Sequence, residues 1–211
     1  MPIDEPLYPV NLRVSGRRCL VVGGGRVAVQ KAAELVACGA IVDVVAPAVV
    51  PALDDLPGTT CHRRAYVPGE AAGYRLVITA TDDGEVNRTV RDDADAAGVW
   101  VNSADDPENC TFTLPARVRR GPLLLTFSTG GHSPALSTWL RRHFAEEIGP
   151  EYLTLLELLE EERIRRQQAG VPTESLDWQR ALDSGMLDLV REGHLAEAKE
   201  RLQACLSSSS D

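Results

Sequence analysis

The chain has 211 residues and a formal net charge of −9, long enough for one sizeable domain, or one domain with a smaller appendage, around a real core. That acidity argues against a nucleic-acid surface, which usually carries a basic face, and against binding to anionic membranes. An acidic ligand stays open to it where basic residues cluster locally.

Five cysteines at 19, 38, 61, 110 and 205 are scattered and form no C-x-x-C pair. They point to a reducing compartment without a disulfide framework or a structural zinc site. The N-terminus carries acids and prolines, unlike a signal peptide, and no apolar run approaches the ~20 residues of a membrane span. A cytoplasmic protein is the expectation.

In chain order, Tyr8 to Leu12 reads as a short strand and Ser15–Gly16 as the turn back into a strand at Arg18–Val22. Gly23, Gly25 and Ala28 then complete a G-x-G-x-x-A pattern, followed by a helical pattern that runs to Cys38 and stops at Gly39. Each position has a mechanical reason in a dinucleotide-binding turn. Gly23 permits the tight turn, Gly25 lets the backbone approach a pyrophosphate, and small Ala28 lets the helix pack close to the strand. The helix N-terminus offers unpaired N–H groups and partial positive charge to the phosphates. The plainer alternative is a glycine turn that only tightens a βαβ unit.

Ile41–Val45 is the second predicted strand, ended by Pro47. The acid that usually holds the ribose, about 20 residues past the glycines, is replaced by Ala46–Pro47–Ala48, and Asp43 falls too early. The ribose is then expected to be held by backbone around Pro47 and Ala48. Arg26 in the phosphate turn leaves a 2′-phosphate open.

A short helix is predicted over Val49–Leu56, a strand over Cys61–Tyr66, and a fully apolar buried strand over Leu76–Ala80. After Thr81–Asp82–Asp83–Gly84 comes a helix from about Val86 to Ala97, with Asp82 as its expected cap, then a strand over Val99–Asn102. This alternation predicts a doubly wound parallel α/β sheet. Ligands of such sheets lie outside the carboxyl ends of the strands, which groups the glycine turn, Thr81–Asp82 and Asn102–Asp105 around one crevice.

Beyond Asp105 the pattern changes. Thr111–Leu114 and Leu123–Phe127 read as an antiparallel pair separated by a basic turn, Arg117–Pro122. Ser128–His132 is a polar, glycine-rich loop, and Ser133 with Pro134 opens a helix to about Ile148. A second helix after Gly149–Pro150 pairs Glu161 with Arg165 and Glu162 with Arg166 at i, i+4, and Gly170–Pro172 breaks it. Helices over Leu176–Leu182 and Met186–Leu206, the latter open to interruption at Gly193, precede a disordered tail. The expected domains are 1–113 for the nucleotide, 114–150 as a small α+β segment, 151–206 as a helical domain and 207–211 as the tail.

Asp105 is the acid singled out, because it follows a buried strand on the crevice side. It could serve as a general base, as a stabilising charge, or only as a turn former ahead of Asp106–Pro107. The four histidines show no ligand spacing, and His132 alone falls near a plausible site. Arg117, Arg119 and Arg120, and separately Arg141, Arg142 and His143, make two basic clusters. They form either a solvated surface or a cradle for a polycarboxylate assisted by the helix N-terminus at Ser133.

Four ordered blocks resemble the precorrin-2 dehydrogenases, the dehydrogenase/ferrochelatase enzymes and modules of sirohaem synthesis. They are Leu20–Lys31, Val77–Asp83 with Asn87, Val101–Pro107 with Phe112, and Ser128–Ala135, and together they cover residues 1 to about 150. The resemblance implies a Rossmann-like domain and NAD⁺-dependent oxidation of precorrin-2, a tetrapyrrole with eight carboxylates, to sirohydrochlorin. In some members the same cleft also inserts Fe²⁺. It places the essential aspartate on Asp105 and cofactor contacts on Gly23, Gly25, Arg26, Val27, Ala28, Pro47 and Ala48, with the nicotinamide near Thr81. It makes the missing second-strand acid normal and implies a homodimer through about 114–150. Arg117, Arg120, Ser128, Gly130, His132 and Ser133 are the candidate substrate contacts, and no resident metal is expected. Two rivals keep the nucleotide turn without the chemistry: a redox sensor or regulatory module, and a potassium-transport regulatory domain, which would be expected to carry the second-strand acid.

Overall fold

Short β-branched runs bounded by glycine and proline build the first half of the chain into a parallel sheet. The computed structural model describes residues 3–104 and 109–207, and the chain divides into two compact units, Met1–Leu114 and Pro115–Asp211. The first holds β1 (Arg18–Val22), β2 (Ile41–Ala46), β3 (Thr59–Arg63), β4 (Leu76–Thr79) and β5 (Trp100–Ser103), all parallel, in the order β3-β2-β1-β4-β5.

Side chains alternate between the two faces of the sheet, and each face has its own helix. Cys19, Val21, Val42, Val44 and Ile78 pack against Ala28, Ala32 and Leu35 of α1 (Arg26–Val36), with Leu53 of the short α2 (Pro51–Asp54). Leu20, Val22, Val45, Val77 and Val101 pack against Val90 and Ala94 of α3 (Gly84–Ala96). Central β1 is therefore buried on both faces from Cys19 onward, and each full aliphatic side chain there contributes about 1.5–3 kcal/mol. This is the doubly wound, Rossmann-like arrangement expected from the sequence. Its strand order reverses between β1 and β4, where ligands of such sheets bind.

Two readings of this unit need correction. Tyr8–Leu12 forms no strand, and Tyr8, Val10 and Leu12 are exposed. Both edges of the following strand, β1, are already taken by β2 and β4, so the alternating segment has nothing beside β1 to pair with. α3 starts at Gly84, earlier than expected, because Asp83 caps it in place of Asp82. Its carboxylate accepts from the amides of Glu85 at 2.9 Å and Val86 at 3.2 Å.

The second unit opens with an antiparallel hairpin of β6 (Ala116–Arg120) and β7 (Leu123–Phe127). The basic stretch read as a turn is itself the first strand, and Thr111–Leu114 is not one. Val118 alternates inward between Arg117 and Arg119, and Gly121–Pro122 suffices for a two-residue hairpin turn. Five α-helices follow among the described residues: α4 (Pro134–Glu147), α5 (Glu151–Gln168), α6 (Trp178–Leu182), α7 (Met186–Arg191) and α8 (Leu195–Ser207). The long last helix read from sequence is thus two, divided at Gly193.

Leu155, Ala181, Met186, Leu202 and Leu206 form the main helical core. Buried Glu162 takes both Arg165 and Arg166, at 2.6 Å each, while Glu161 pairs with Lys199 across to α8 at 2.9 Å. The expected Glu161–Arg165 pair gives way because Glu162 faces inward and draws both guanidiniums. Ser207 ends α8, and residues 208–211 of the expected tail lie outside the described residues. Among the described residues no helix is long and apolar enough to cross a membrane.

Candidate functional site

The predicted cofactor residues converge at the carboxyl ends of β1, β2 and β4. The Gly23 amide donates to the Val45 carbonyl at 2.9 Å, and the Val50 amide returns to the Gly24 carbonyl at 2.9 Å. These bonds lash the loop carrying Pro47 and Ala48 onto the glycine turn. Gly23 has φ +132°, and a Cβ there would run into the Ala80 carbonyl of the β4–α3 loop. A Cβ on Gly24 would run into the Ala48 carbonyl. Gly24 was only a spacer in the sequence pattern, and its signal, a third consecutive glycine, is plain only once the β2 loop is seen beside it.

Gly25 differs from both. A Cβ there meets nothing within 4 Å, and its φ of −91° is open to any residue. The fold itself does not require glycine at this point, whereas close approach of a ligand does. Gly25 stands at the N-cap of α1 without a side-chain cap, and no acid occupies the first turn. The amides of Arg26, Val27 and Ala28 have no partner among the described residues. Bare amides, partial positive charge and an open glycine fit a pyrophosphate, so the residues present suit a dinucleotide. Arg26 and Val27 are exposed beside them, and Ala28 is buried against β1.

Thr81 lies half-buried past β4. Its hydroxyl accepts from the Asp83 amide at 3.1 Å, and its carbonyl accepts from the Asn87 side-chain amide at 3.0 Å. Asn87, buried on α3, thus fixes the loop facing the glycine turn. Asp43, considered for the ribose, is committed elsewhere: Arg18 reaches it at 2.9 Å and His62 at 2.7 Å. Burial pushes its carboxyl up, but the hydrogen bonds and charges of His62 and Arg18 outweigh that and hold it below the ordinary range.

β5, which precedes the catalytic candidate in sequence, is held on both sides. The Ala104 amide donates to the Thr79 carbonyl at 2.9 Å, and the Thr111 amide to Val101 at 2.8 Å. Asn102 donates to the Phe112 carbonyl at 2.9 Å, and the Ser103 amide meets the Cys110 sulfur at 3.1 Å. Asp105 itself lies outside the described residues, with Asp106, Pro107 and Glu108.

The remaining candidates belong to the second unit. Arg117 sits half-buried on β6 opposite Thr126. Arg120 is committed to backbone: it donates to Ile148 at 2.9 Å, Ala145 at 2.8 Å and Arg119 at 3.2 Å, closing the C-terminal end of α4. Ser133 caps α4, accepting from the Leu136 amide at 3.2 Å. Thr129, which the sequence did not single out, accepts from the Ser133 amide at 3.1 Å and meets Ser137 at 3.3 Å. Ser128 and His132 are exposed in this loop, and the Gly130 amide folds back on the Ser128 hydroxyl at 3.3 Å.

Residues 10–116 match a family model described as "Putative NAD(P)-binding". Siroheme synthase of Chromobacterium violaceum is 36% identical over 201 residues, covering 93% of this chain and 43% of that protein. Siroheme synthase of Acinetobacter baylyi is 42% identical over 139 residues, 64% of this chain and 30% of the relative. The chain therefore spans less than half the length of these curated relatives. A solved structure of SirC, precorrin-2 dehydrogenase, superposes with a TM-score of 0.73 at 24% identity, covering 94% of this chain and 100% of that one. That likeness is one of fold.

Proposed function

The chain belongs to the NAD(P)-binding family whose model spans residues 10–116, and we propose that it oxidises precorrin-2 to sirohydrochlorin with NAD⁺. The observation that carries this reading is the glycine turn, whose Gly25 is open to a ligand while Gly23 and Gly24 are held by their own fold. The relatives described as siroheme synthases support the substrate class.

When bound, NAD⁺ supplies a two-electron acceptor. Oxidation breaks one ring C–H bond with hydride leaving to the acceptor and gives up one proton, so the chain must hold the dinucleotide and manage that proton. The amides of Arg26, Val27 and Ala28 bind the pyrophosphate, and Gly23 and Gly25 allow its approach. Pro47 and Ala48 border the ribose, and the Thr81 loop, fixed by Asn87, orients the nicotinamide end. Asp105 takes the proton or balances the charge left on the ring as hydride departs. Arg117, Ser128, Gly130, His132 and Ser133 meet the carboxylates, while Arg120 holds α4 in place for them.

We also propose a homodimer through residues 114–150, acting in the cytoplasm. α4 has no buried side chain in the single chain and exposes Leu136 and Trp139, a face that suits burial against a second copy.

Mixing the protein with precorrin-2 and NAD⁺ under anaerobic conditions should generate NADH together with the sirohydrochlorin spectrum. Absence of turnover with both NAD⁺ and NADP⁺ overturns the reading. Nucleotide binding without tetrapyrrole affinity points instead to a sensor module. Sirohydrochlorin and Fe²⁺, supplied without NAD⁺, test for iron insertion, with Fe²⁺ as substrate: a rate above a no-enzyme blank adds that activity.

A further inference from the structure

The end of β2 is where a dinucleotide site separates its two cofactors. A carboxylate there accepts a hydrogen bond from a free 2′-hydroxyl and repels a 2′-phosphate, whereas a nearby arginine accommodates the phosphate. In this chain Ala46, Pro47 and Ala48 occupy the position, so no carboxylate follows β2 directly. The loop is also close to the turn, because the Ala48 carbonyl packs on Gly24.

Two guanidiniums come from the carboxyl ends of β1 and β3, the strands that flank β2. Arg26, the first residue of α1, is exposed, and its side chain makes no hydrogen bond or ion pair among the described residues. Arg63, the last residue of β3, is the register partner of Ala46, the last residue of β2. Its side chain is 54% exposed, and among the described residues its ion pair is with Asp54 of α2, at 2.5 Å. Asp54 is itself 40% exposed. Exposed pairs of this kind contribute little to stability, so exchanging Asp54 for a more highly charged anion costs the fold little. A phosphate group offers a guanidinium a bidentate, charge-assisted contact.

We propose that the ribose end of this site accepts a 2′-phosphate, with Arg26 and Arg63 as its cationic seat and Asp54 as the carboxylate that holds Arg63 when no phosphate is present. The protein is then a dual-specificity NAD(P) enzyme, and the Arg63–Asp54 pair sets the balance between the cofactors. The inference rests on the dinucleotide reading of the glycine turn.

Calorimetric titration of the full chain with NAD⁺ and with NADP⁺, at low and at moderate salt, tests it. NADP⁺ should bind within about tenfold of NAD⁺ and lose affinity more steeply as salt rises. Arg63→Gln should weaken NADP⁺ at least about fivefold while moving NAD⁺ less than about twofold. Asp54→Asn, which releases Arg63, should tighten NADP⁺ alone. Thermal midpoints of both variants, expected near wild type, establish that they fold. NADP⁺ binding more than about a hundredfold weaker than NAD⁺, or equal changes for both cofactors in the two variants, overturns the inference and leaves the dinucleotide reading standing. Failure of both cofactors to bind overturns the two together.

Discussion

The two ends of the five-stranded sheet solve opposite problems with the same backbone. From the amino end of β1 inward, polar side chains meet one another: Asp43, midway along β2, lies between Arg18 and His62 of β3, and Arg18 also stacks over the Tyr74 ring at 4.7 Å and donates to its hydroxyl at 3.2 Å. At the carboxyl ends the chain presents three glycines, an alanine, a proline and the uncapped amides of α1. Paired side chains close the first end, and bare backbone leaves the second open. Polar groups that find partners within the chain mark structure here, and those without partners mark the place for a ligand.

The sharpest way to break this comparison is through the acid that belongs, by sequence, to the open end. Asp105→Ala should reduce precorrin-2 oxidation by about 10²–10⁴-fold, the usual worth of a positioned acid or base. NAD⁺ affinity should stay within a few-fold, because the carboxylate is proposed to serve the tetrapyrrole. Steady-state rates with a parallel NAD⁺ titration read both. Lost NAD⁺ binding, or near-normal turnover, would remove Asp105 from the mechanism.

Next in size is a contrast between neighbouring glycines. Gly24→Ala must displace the Ala48 carbonyl, and should lower stability by roughly 2 kcal/mol while abolishing measurable NAD⁺ binding. Gly25→Ala meets nothing in the protein, so its thermal midpoint should stay near wild type while NAD⁺ affinity falls at least about tenfold. Equal stability losses in the two would erase the distinction between a glycine needed by the fold and one needed by the ligand.

The sequence made that open end legible because its chemistry is local. A strand, a glycine turn and a helix start lie within Arg18–Ala28, and their spacing carries the geometry. Asp43 was legible only as the wrong acid for the ribose. Its partners come from β1 and β3, and no local pattern announces a contact between Arg18 and His62. The hairpin was misread for a related reason: arginines suggest a turn until the register shows Val118 alternating inward. Arg120 was read as part of a ligand cradle, but the carbonyls it holds are 25 and 28 residues away in sequence. Tertiary pairing overrode composition in each case.

At the closed end, Asp43→Asn removes the charge but keeps the shape. It should cost about 2 kcal/mol by urea unfolding, the range for hydrogen bonds to a charged group, lowered from the cost of a fully buried pair because Arg18 is 56% exposed. NAD⁺ affinity should be unchanged, since the cluster lies away from the glycine turn. A variant of wild-type stability would mean that the pairing contributes nothing to the sheet.

The smallest effect is the pH dependence of that same contribution, and its sign is fixed by the cluster. Burial raises the Asp43 carboxyl, yet the hydrogen bonds and charges of His62 and Arg18 bring it below its ordinary value. The unfolded chain therefore takes up this proton more readily than the folded one. The stabilisation is fully present above the unfolded pKa of about 4, and fades as pH falls through the lower folded value. The stability gap between wild type and Asp43→Asn should narrow as pH falls below about 4. Glu162 in the helical unit, also buried and also held low by Arg165 and Arg166, supplies an independent copy of the experiment through Glu162→Gln. A gap that widens below about pH 4 would reverse the sign and show that Asp43 is held neutral by burial instead of charged by its partners.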